Sequence, residues 1–234
     1  MENFPETVQD FLDGQILLIN KPLGWTSFDV VKKIKNLIRT KYSLKKLKVG
    51  HAGTLDPLAS GLLIVCTGKF TKQISELQGQ AKIYTGDITL GGTTPSYDLE
   101  TEIDTKFETN HITENLIKET TTQFIGEIEQ KPPIFSALKR GGERLYEKAR
   151  RGESFEIQPR KVSVHSFDIK TIEMPKVSFE IKCSKGTYIR SIAHDFGAEL
   201  NSGAHLSKLC RISIGDYQLQ DALDVSDFEK QLNS

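Results

Sequence analysis

The chain has 234 residues, of which 37% are hydrophobic and 26% are charged, and its formal net charge is zero. This is the composition of a globular protein, and the length fits one large domain or a domain with an insertion. The apolar runs are too short to cross a bilayer and the acidic N-terminal segment lacks a signal-peptide pattern, so we expect a cytoplasmic protein.

The cysteines and histidines do not form any familiar metal-binding pattern. Cys66, Cys183 and Cys210 are odd in number and widely spaced, and no CxxC pair occurs. The five histidines show neither HxH nor HxxxH spacing. We therefore expect reduced, mostly buried thiols and no metal site.

The first half of the chain alternates strands and helices. GQILLINKP predicts a strand ended by Pro22, and Ser27 is the predicted N-cap of an amphipathic helix. The stretch from Gly50 to Gly61 predicts a loop, followed by a buried strand in LLIVCTG and a short helix at about 70–78. KIYTGDITLGG alternates like a strand with one buried face.

Along the whole chain, strands and helices are mixed without regular βαβ alternation, which favours an α+β fold with a largely antiparallel mixed sheet flanked by helices. Thr113 is the predicted cap of a helix, and residues 130–152 predict a projecting insertion rich in cations, Pro and Gly. The remaining predicted elements are strands at about 160–170, 176–184 and 211–219, and helices starting near Thr187 and at about 221–232.

GHAGTLDPLASG, from Gly50 to Gly61, places Asp56 in the middle of a glycine-rich stretch. Its glycines permit tight turns and a close approach of the backbone to a ligand, and Pro57 biases Asp56 towards an extended conformation. A turn-capping role for Asp56 is the simpler alternative. The loop by itself leaves both interpretations open.

Arg190 and Tyr84 are two further candidates. A cation in the first turn of the helix starting near Thr187 opposes the helix dipole, which suggests an anionic partner for Arg190, although a surface hydrogen bond is an alternative. An Asp56–Arg190 pair would keep the carboxylate ionised and fix its rotamer. Tyr84 either packs in a core or offers its ring to a nucleobase.

Positive charge is segregated although the net charge is zero. Eight cations and no acid occur between Lys32 and Lys48, and a second cluster runs from Lys139 to Arg151 and includes Arg140. Such stretches can hold a polyanion on one face, although solvated helix faces look the same in sequence.

Several long motifs in one order resemble the TruB family of tRNA pseudouridine synthases. They are NKPLGWTSFDVV, VGHAGTLDPLASGLLIVCTG, PPIFSALKRGGERLYEKARRG, CSKGTYIRSIAHDFG and GAHLSKLCR, which together span nearly the whole chain. Long motifs in a conserved order are far more specific than one short pattern.

The resemblance implies a single pseudouridine synthase domain over residues 1–234 that isomerises the T-loop uridine conventionally numbered 55. It implies no metal and no organic cofactor, tRNA as the partner, no obligate protein partner, and a monomer. Residues 130–152 match the segment that grips the T-loop. Since only about two dozen residues follow Arg211, we expect no separate C-terminal RNA-binding domain.

The resemblance also implies roles for individual residues. Asp56 matches the catalytic aspartate, Arg190 its arginine partner and Tyr84 the tyrosine that stacks on the target base. The residues that match substrate-binding positions are His51, Lys21, Tyr188, Leu209, Lys139 and Arg140. Cys210 departs from the family, because many relatives carry arginine there, and a phosphate contact or ion pair is then missing.

Two other functions fit parts of the sequence. A tRNA-binding chaperone without chemistry needs the basic surface but not Asp56. A guide-RNA-dependent pseudouridylation subunit, as in box H/ACA enzymes, needs further partners for activity. Turnover of free tRNA by the wild type but not by an Asp56 variant separates both from the enzyme.

Overall fold

The computed structural model describes residues 4–136, 139–140, 143–144, 151 and 157–234. The chain divides into two compact units, one made of Met1–Tyr84 with Leu209–Ser234 and the other of Thr85–Lys208. Among the described residues, antiparallel strand pairs outnumber parallel pairs, as expected for the predicted α+β class. No helix in the described ranges is long and apolar enough to cross a membrane.

The first unit contains helices around a group of paired strands in the order β14–β1–β3–β12, with β2 also paired to β3 and β13 to β12. Its elements are α1 (Val8–Asp13), β1 (Ile16–Lys21), α2 (Ser27–Lys41), β2 (Val49–Ala52), β3 (Ala59–Thr67), the 3-10 helix Gly68–Gln73, α3 (Ile74–Gly79), the start of β4 (Lys82–Leu90), the end of β12 (Ala204–Ile214), β13 (Tyr217–Gln218), the 3-10 helix Leu219–Asp221, β14 (Leu223–Asp224) and α6 (Val225–Asn233).

The second unit contains strands in the order β12–β4–β11–β10–β7, together with the small pairs β5–β6 and β8–β9. Besides the rest of β4 and β12, its elements are β5 (Gly92–Thr93), β6 (Thr105–Lys106), α4 (Glu114–Thr121), the 3-10 helix Thr122–Phe124, β7 (Gly126–Gln130), β8 (Lys139–Arg140), β9 (Glu143–Arg144), β10 (Arg160–Glu173), β11 (Lys176–Cys183) and α5 (Ile189–Glu199).

Strand β3 is the centre of the first unit because both of its faces are buried. Leu63 and Val65 pack in a cluster with residues of α2 and α6, whereas Leu62, Ile64 and Cys66 pack in a cluster with Leu77 of α3. A strand covered on both faces reads as a continuous apolar run, which explains why LLIVC shows no alternation.

The core of the second unit contains a cluster of phenylalanine rings. Phe167 of β10 makes edge or tilted contacts with Phe124, Phe179 and Phe196, at centroid distances of 6.1, 6.1 and 5.3 Å. Such arrangements favour aromatic rings beyond the burial of their area. The cluster joins α5 to the strands on which it packs.

The cysteines are free thiols, as predicted. Cys66 and Cys183 are buried and Cys210 is half-buried. Burial raises the pKa of the Cys66 thiol to about 11, so this thiol stays protonated and unreactive at neutral pH.

Several predicted boundaries were wrong. The strand predicted at about 211–219 begins earlier, as β12 (Ala204–Ile214), and resumes as β13 (Tyr217–Gln218), and the helix predicted at about 221–232 begins at Val225. Two helix starts differ by one or two residues. The N-cap of α2 is Thr26, not Ser27: the Thr26 hydroxyl accepts from the Asp29 backbone N–H at 3.0 Å, and the Asp29 carboxylate accepts from the Thr26 N–H at 2.9 Å. Either hydroxyl can cap a helix, and Asp29 selects Thr26 by completing a capping box.

Helix α5 begins at Ile189, two residues after Thr187, whose hydroxyl instead donates to the Ser184 carbonyl. The Thr113 cap of α4 is confirmed.

Replacement of Thr26 by alanine tests the cap. Thr26 is exposed, so Thr26→Ala removes the capping hydrogen bond without opening a cavity, and we expect the free energy of unfolding to fall by about 1 kcal/mol. Urea unfolding followed by far-UV circular dichroism measures this. Thr26→Ser should keep most of the stability, and Thr40→Ala, near the other end of the same helix, should change it little. Equal losses at residues 26 and 40 would contradict the capping role.

Candidate functional site

The stretch from Gly50 to Gly61 is a strand–loop–strand element and not a loop throughout. Gly50 pairs with Cys66 and Ala52 with Ile64, so β2 and β3 extend into its two ends and only residues 53–58 form the loop. The sequence prediction of a longer loop was wrong because Gly50 and Gly61 lie within paired strands. Asp56 therefore lies on a short connection between two paired strands.

The Asp56 loop is held by the first residue of α2 and by the segment before this helix. The Leu55 N–H donates to the Ser27 hydroxyl at 2.8 Å, and that hydroxyl donates to the Leu55 carbonyl at 3.2 Å. The Gly24 N–H also donates to the Pro57 carbonyl at 2.8 Å. Ser27 is thus a residue that fixes the loop on one side of the half-buried Asp56.

Lys21 is a fully buried cation near the loop. Its ammonium donates to the carbonyls of Pro22 and Trp25 at 3.0 and 2.5 Å. Burial lowers the pKa of Lys21 to about 8, and attraction to the Asp56 carboxylate opposes this shift. The same attraction favours the ionised form of Asp56.

Arg211 is a second buried cation in this unit, and the sequence did not single it out as a site residue. Its Nε donates to the Leu62 carbonyl at 2.8 Å and its Nη2 to the Gly53 carbonyl at 3.0 Å. Parallel pairing of β12 with β3 places Arg211 opposite Gly61. A Cβ at Gly61 would lie 2.4 Å from the Arg211 backbone oxygen, so this close approach requires glycine.

His51 and Leu209 lie on strands that border the same loop. His51 is half-buried on β2, and its pKa is lowered first by burial and then by repulsion from Arg211. The ring is therefore neutral at physiological pH. Leu209 is buried on β12 and pairs with Ala59, the first residue after the loop.

Tyr84 lies on the buried face of β4, where burial alternates along the strand. Its side chain is 9% exposed, so most of the ring packs in the interior. The first unit therefore contains Lys21, His51, Asp56, Tyr84 and Leu209, five of the candidate residues. A stacking role for Tyr84 stays a prediction.

Arg190 lies in the second unit, in the first turn of α5. Its Nε is 3.6 Å from the Asp98 carboxylate, and both side chains are almost fully buried, with 4% and 7% exposed. Its Nη1 donates to the Ser96 carbonyl at 3.2 Å. Arg190 thus has an anionic partner, as its position on the helix predicted. The sequence did not indicate that Asp98 is an anionic partner of Arg190. The pairing of Arg190 with Asp56 stays a prediction.

Three other candidates lie in the second unit. Tyr188 is half-buried at the N-cap position of α5. Lys139 and Arg140 pair through their backbone with Arg144 and Glu143 as β8 and β9. Their side chains, and residues 137–138, 141–142, 145–150 and 152 of the predicted projecting insertion at 130–152, lie outside the described residues.

A basic groove lies on the first unit. It has a cavity volume of about 650 Å³ and is lined by cations of α2, of the loop after it and of the 3-10 helix Gly68–Gln73, namely Lys35, Arg39, Lys45, Lys46, Lys48, Lys69 and Lys72. No acid lines this cavity. Arg39 donates to the carbonyls of Leu44 and Lys45, both at 3.1 Å, which orders the loop.

Among the described residues, Lys69 is the one lining cation with an ion pair, to Asp13 at 2.6 Å, and Asp13 does not line the groove. Within the described part of the chain, no cluster of three or more His, Cys, Asp or Glu side chains could hold a metal ion.

The chain is similar to known proteins over nearly its whole length. It is 61% identical to tRNA pseudouridine synthase B of Flavobacterium johnsoniae over 97% of this chain and 99% of that relative. It is 49% identical to the protein of the same name from Phocaeicola vulgatus over 96% of this chain and 95% of that relative.

Among solved structures, the chain is similar to one in a Cbf5–Nop10–Gar1 complex, with a TM-score of 0.70 and 28% sequence identity. The match covers 96% of this chain and 56% of that one, so this chain spans about half the length of that structure's chain. A second similar structure, an H/ACA RNP bound to a substrate RNA containing 2'-deoxyuridine, has a TM-score of 0.67 at 27% identity. This second match covers 94% of this chain and 53% of the chain in that structure. These similarities confirm the predicted pseudouridine synthase fold.

The model of the TruB family pseudouridylate synthase N-terminal domain matches residues 39–189. This match includes the Asp56 loop and the strand that carries Tyr84. The resemblance that the ordered motifs indicated is therefore confirmed, and the chain belongs to the TruB family of pseudouridylate synthases.

Proposed function

We propose that this chain isomerises uridine 55 in the T-loop of tRNA to pseudouridine and that Asp56 is the catalytic carboxylate. One observation carries the proposal: the chain is similar, over nearly its full length, to relatives named tRNA pseudouridine synthase B. The geometry supports Asp56, because it lies on a loop held by Ser27 and attracts a buried ammonium.

The reaction needs a carboxylate and a way to turn the base. The bond between C1' of ribose and N1 of uracil breaks, the uracil rotates, and a bond forms between C1' and C5. The C5 proton then leaves to a base and N1 takes up a proton, so that product and substrate are isomers. The uridine must first leave the stack of the T-loop, which costs a few kcal/mol offset by protein contacts. Asp56 then attacks covalently or stabilises the developing intermediate.

The residues around the loop would divide the remaining tasks. Lys21 favours the ionised form of Asp56. In this proposal Arg190 also pairs with Asp56, and Tyr84 stacks on the uracil and is the candidate acceptor of the C5 proton. His51, neutral at physiological pH, contacts the flipped nucleotide, and Leu209 packs near the base.

The basic groove would bind tRNA phosphates. Seven cations in one groove attract RNA phosphates whatever the RNA sequence is, and this favours contacts with the RNA backbone. Lys139, Arg140 and Tyr188 are proposed as further contacts with the T-arm. The proposal includes a cytoplasmic monomer that works without metal, cofactor or obligate protein partner.

Asp56→Asn tests the assignment directly. Asparagine keeps the shape of the side chain but removes the charge, so tritium release from tRNA labelled at C5 of uridine should fall below detection while tRNA binding persists. Asp227→Asn is the matched control, because Asp227 is a surface carboxylate paired with Lys230 at 2.9 Å. Undiminished release by Asp56→Asn would overturn the assignment. Release only after partner proteins and a guide RNA are added would instead favour a guide-dependent subunit.

The pH dependence tests the role of Lys21. The single-turnover rate should fall as the pH rises through about 8, because the ammonium then loses the charge that acts on Asp56. Lys21→Met should be slower by roughly 10- to 100-fold at neutral pH and should lack this decline.

Lys82→Met is the control for Lys21→Met. Lys82 is another buried lysine, and its ammonium donates to the carbonyls of Gln78 and Gln80 at 2.6 and 2.5 Å. This variant should keep the decline near pH 8. A flat wild-type profile between pH 6.5 and 9.5 would show that the charge of Lys21 is not needed.

Neutralising the groove should weaken tRNA binding without slowing the chemistry. For Lys45→Gln combined with Lys46→Gln we expect a higher KM, an unchanged kcat, and a slope of log K against log salt reduced by about 0.7–0.9 for each lost phosphate contact. Filter binding at several salt concentrations measures the slope. Lys118→Gln, on the exposed face of α4, is the control, and identical slopes for all proteins would exclude the groove from RNA contact.

A further inference from the structure

Tyr188 is held through both of its backbone polar groups by one side chain. The Tyr188 N–H donates to Gln130 Oε1 at 2.7 Å, and Gln130 Nε2 donates to the Tyr188 carbonyl at 3.0 Å. Gln130 is only 1% exposed, so water does not compete for these bonds. A buried amide with both ends satisfied fixes its partner firmly, since losing either bond leaves a buried polar group unpaired.

Arg160 contacts the same residue from the side of its ring. Its guanidinium carbon lies 4.6 Å from the centroid of the Tyr188 ring, which is a cation–π contact. Its Nη2 donates to the Gly186 carbonyl, two residues earlier. Its Nε is buried and has no hydrogen-bond acceptor among the described residues. Arg160 therefore contacts residues 186–188 through the Tyr188 ring and the Gly186 carbonyl.

Gln130 and Arg160 act from one place in the sheet. They are directly opposite each other in the antiparallel pair of β7 and β10. Directly opposite residues project on the same face of a sheet, so both side chains reach the segment before α5. One holds the backbone of Tyr188 and the other its ring.

The segment that they hold begins α5, and its position decides where Arg190 lies. Tyr188 is the N-cap residue but supplies no side-chain capping bond. Arg190 follows two residues later and is held on its other side by Asp98 and by the Ser96 carbonyl. The first turn of α5 is thus fixed by β7 and β10 at Tyr188 and by residues 96–98 at Arg190.

We infer that Gln130 and Arg160 are positioning residues for pseudouridine formation, acting through the Tyr188 backbone and ring on the placement of Arg190. The inference rests on the proposed function, since it needs Arg190 and Tyr188 to serve the reaction. Neither Gln130 nor Arg160 needs to touch the RNA for this role.

The test separates positioning from binding. Gln130→Ala and Arg160→Ala should lower the single-turnover rate at saturating tRNA by roughly 10- to 100-fold, because small misplacements of a catalytic group cost this much. The Kd for tRNA should change little. Arg160→Lys keeps the charge but loses the planar fork, so it should recover only part of the rate. Full recovery by lysine together with a weakened Kd in Arg160→Ala would show a phosphate contact instead.

Lys161→Ala is the matched control. Lys161 adjoins Arg160 on β10 and pairs with Glu127 of β7 at 2.8 Å, so its loss perturbs the same two strands without touching Tyr188. Its rate should equal that of the wild type. Melting temperatures of all variants identify any that fail to fold. If Gln130→Ala fails to fold, Arg160→Lys still tests the inference.

A double-mutant cycle decides whether the effect passes through Arg190. If it does, Gln130→Ala combined with Arg190→Ala should be no slower than Arg190→Ala alone. Multiplied losses would overturn the inference. If wild type releases tritium and Gln130→Ala matches Lys161→Ala, only this inference fails. If wild type releases none from tRNA, the proposed function fails.

Discussion

The candidate site depends on the burial of two positive charges beside the Asp56 loop. Lys21 and Arg211 are almost completely removed from water, and each cation binds two backbone carbonyl groups. Carbonyl dipoles offset only part of the cost of burying a full charge, so an anion nearby is favoured. The carboxylate of Asp56 supplies that charge for Lys21. This electrostatic requirement of the buried lysine supports the proposed role of Asp56.

Strand pairing places these groups with little freedom. Lys21 ends β1, Arg211 lies on β12, and both are opposite Gly61 of β3, one on each side. The loop with Asp56 connects β2 to the beginning of β3. A shift of one residue in either pairing would send a cation to the opposite face of the sheet, away from its carbonyl partners. The central strand therefore sets the register of the candidate site.

Periodic patterns predicted the elements well, and single-residue rules predicted their ends less well. The alternation in β4 and the stripe of α2 follow from local sequence, and the cap at Thr113 does too. Ser27 and Thr26 are equally good caps locally, and contacts with Leu55 and Asp29 decide between them. Asp98, Gln130 and Arg211 were missed because their partners lie 58 to 158 residues away in sequence. The ordered motifs indicated a catalytic role for Asp56, where the residues of its own loop favoured a turn cap.

The contact at Gly61 has a consequence for how mutational scans of this protein should be interpreted. Any side chain there would enter the space of the Arg211 backbone, and the φ angle of +102° already disfavours non-glycine residues. Under the proposed role of Asp56, position 61 will therefore look as intolerant as Asp56 in a selection for tRNA modification. The two differ in the amount of folded protein, which substitutions at Gly61 reduce and Asp56→Asn preserves. An abundance measurement beside the activity measurement separates architecture from chemistry at this strand end.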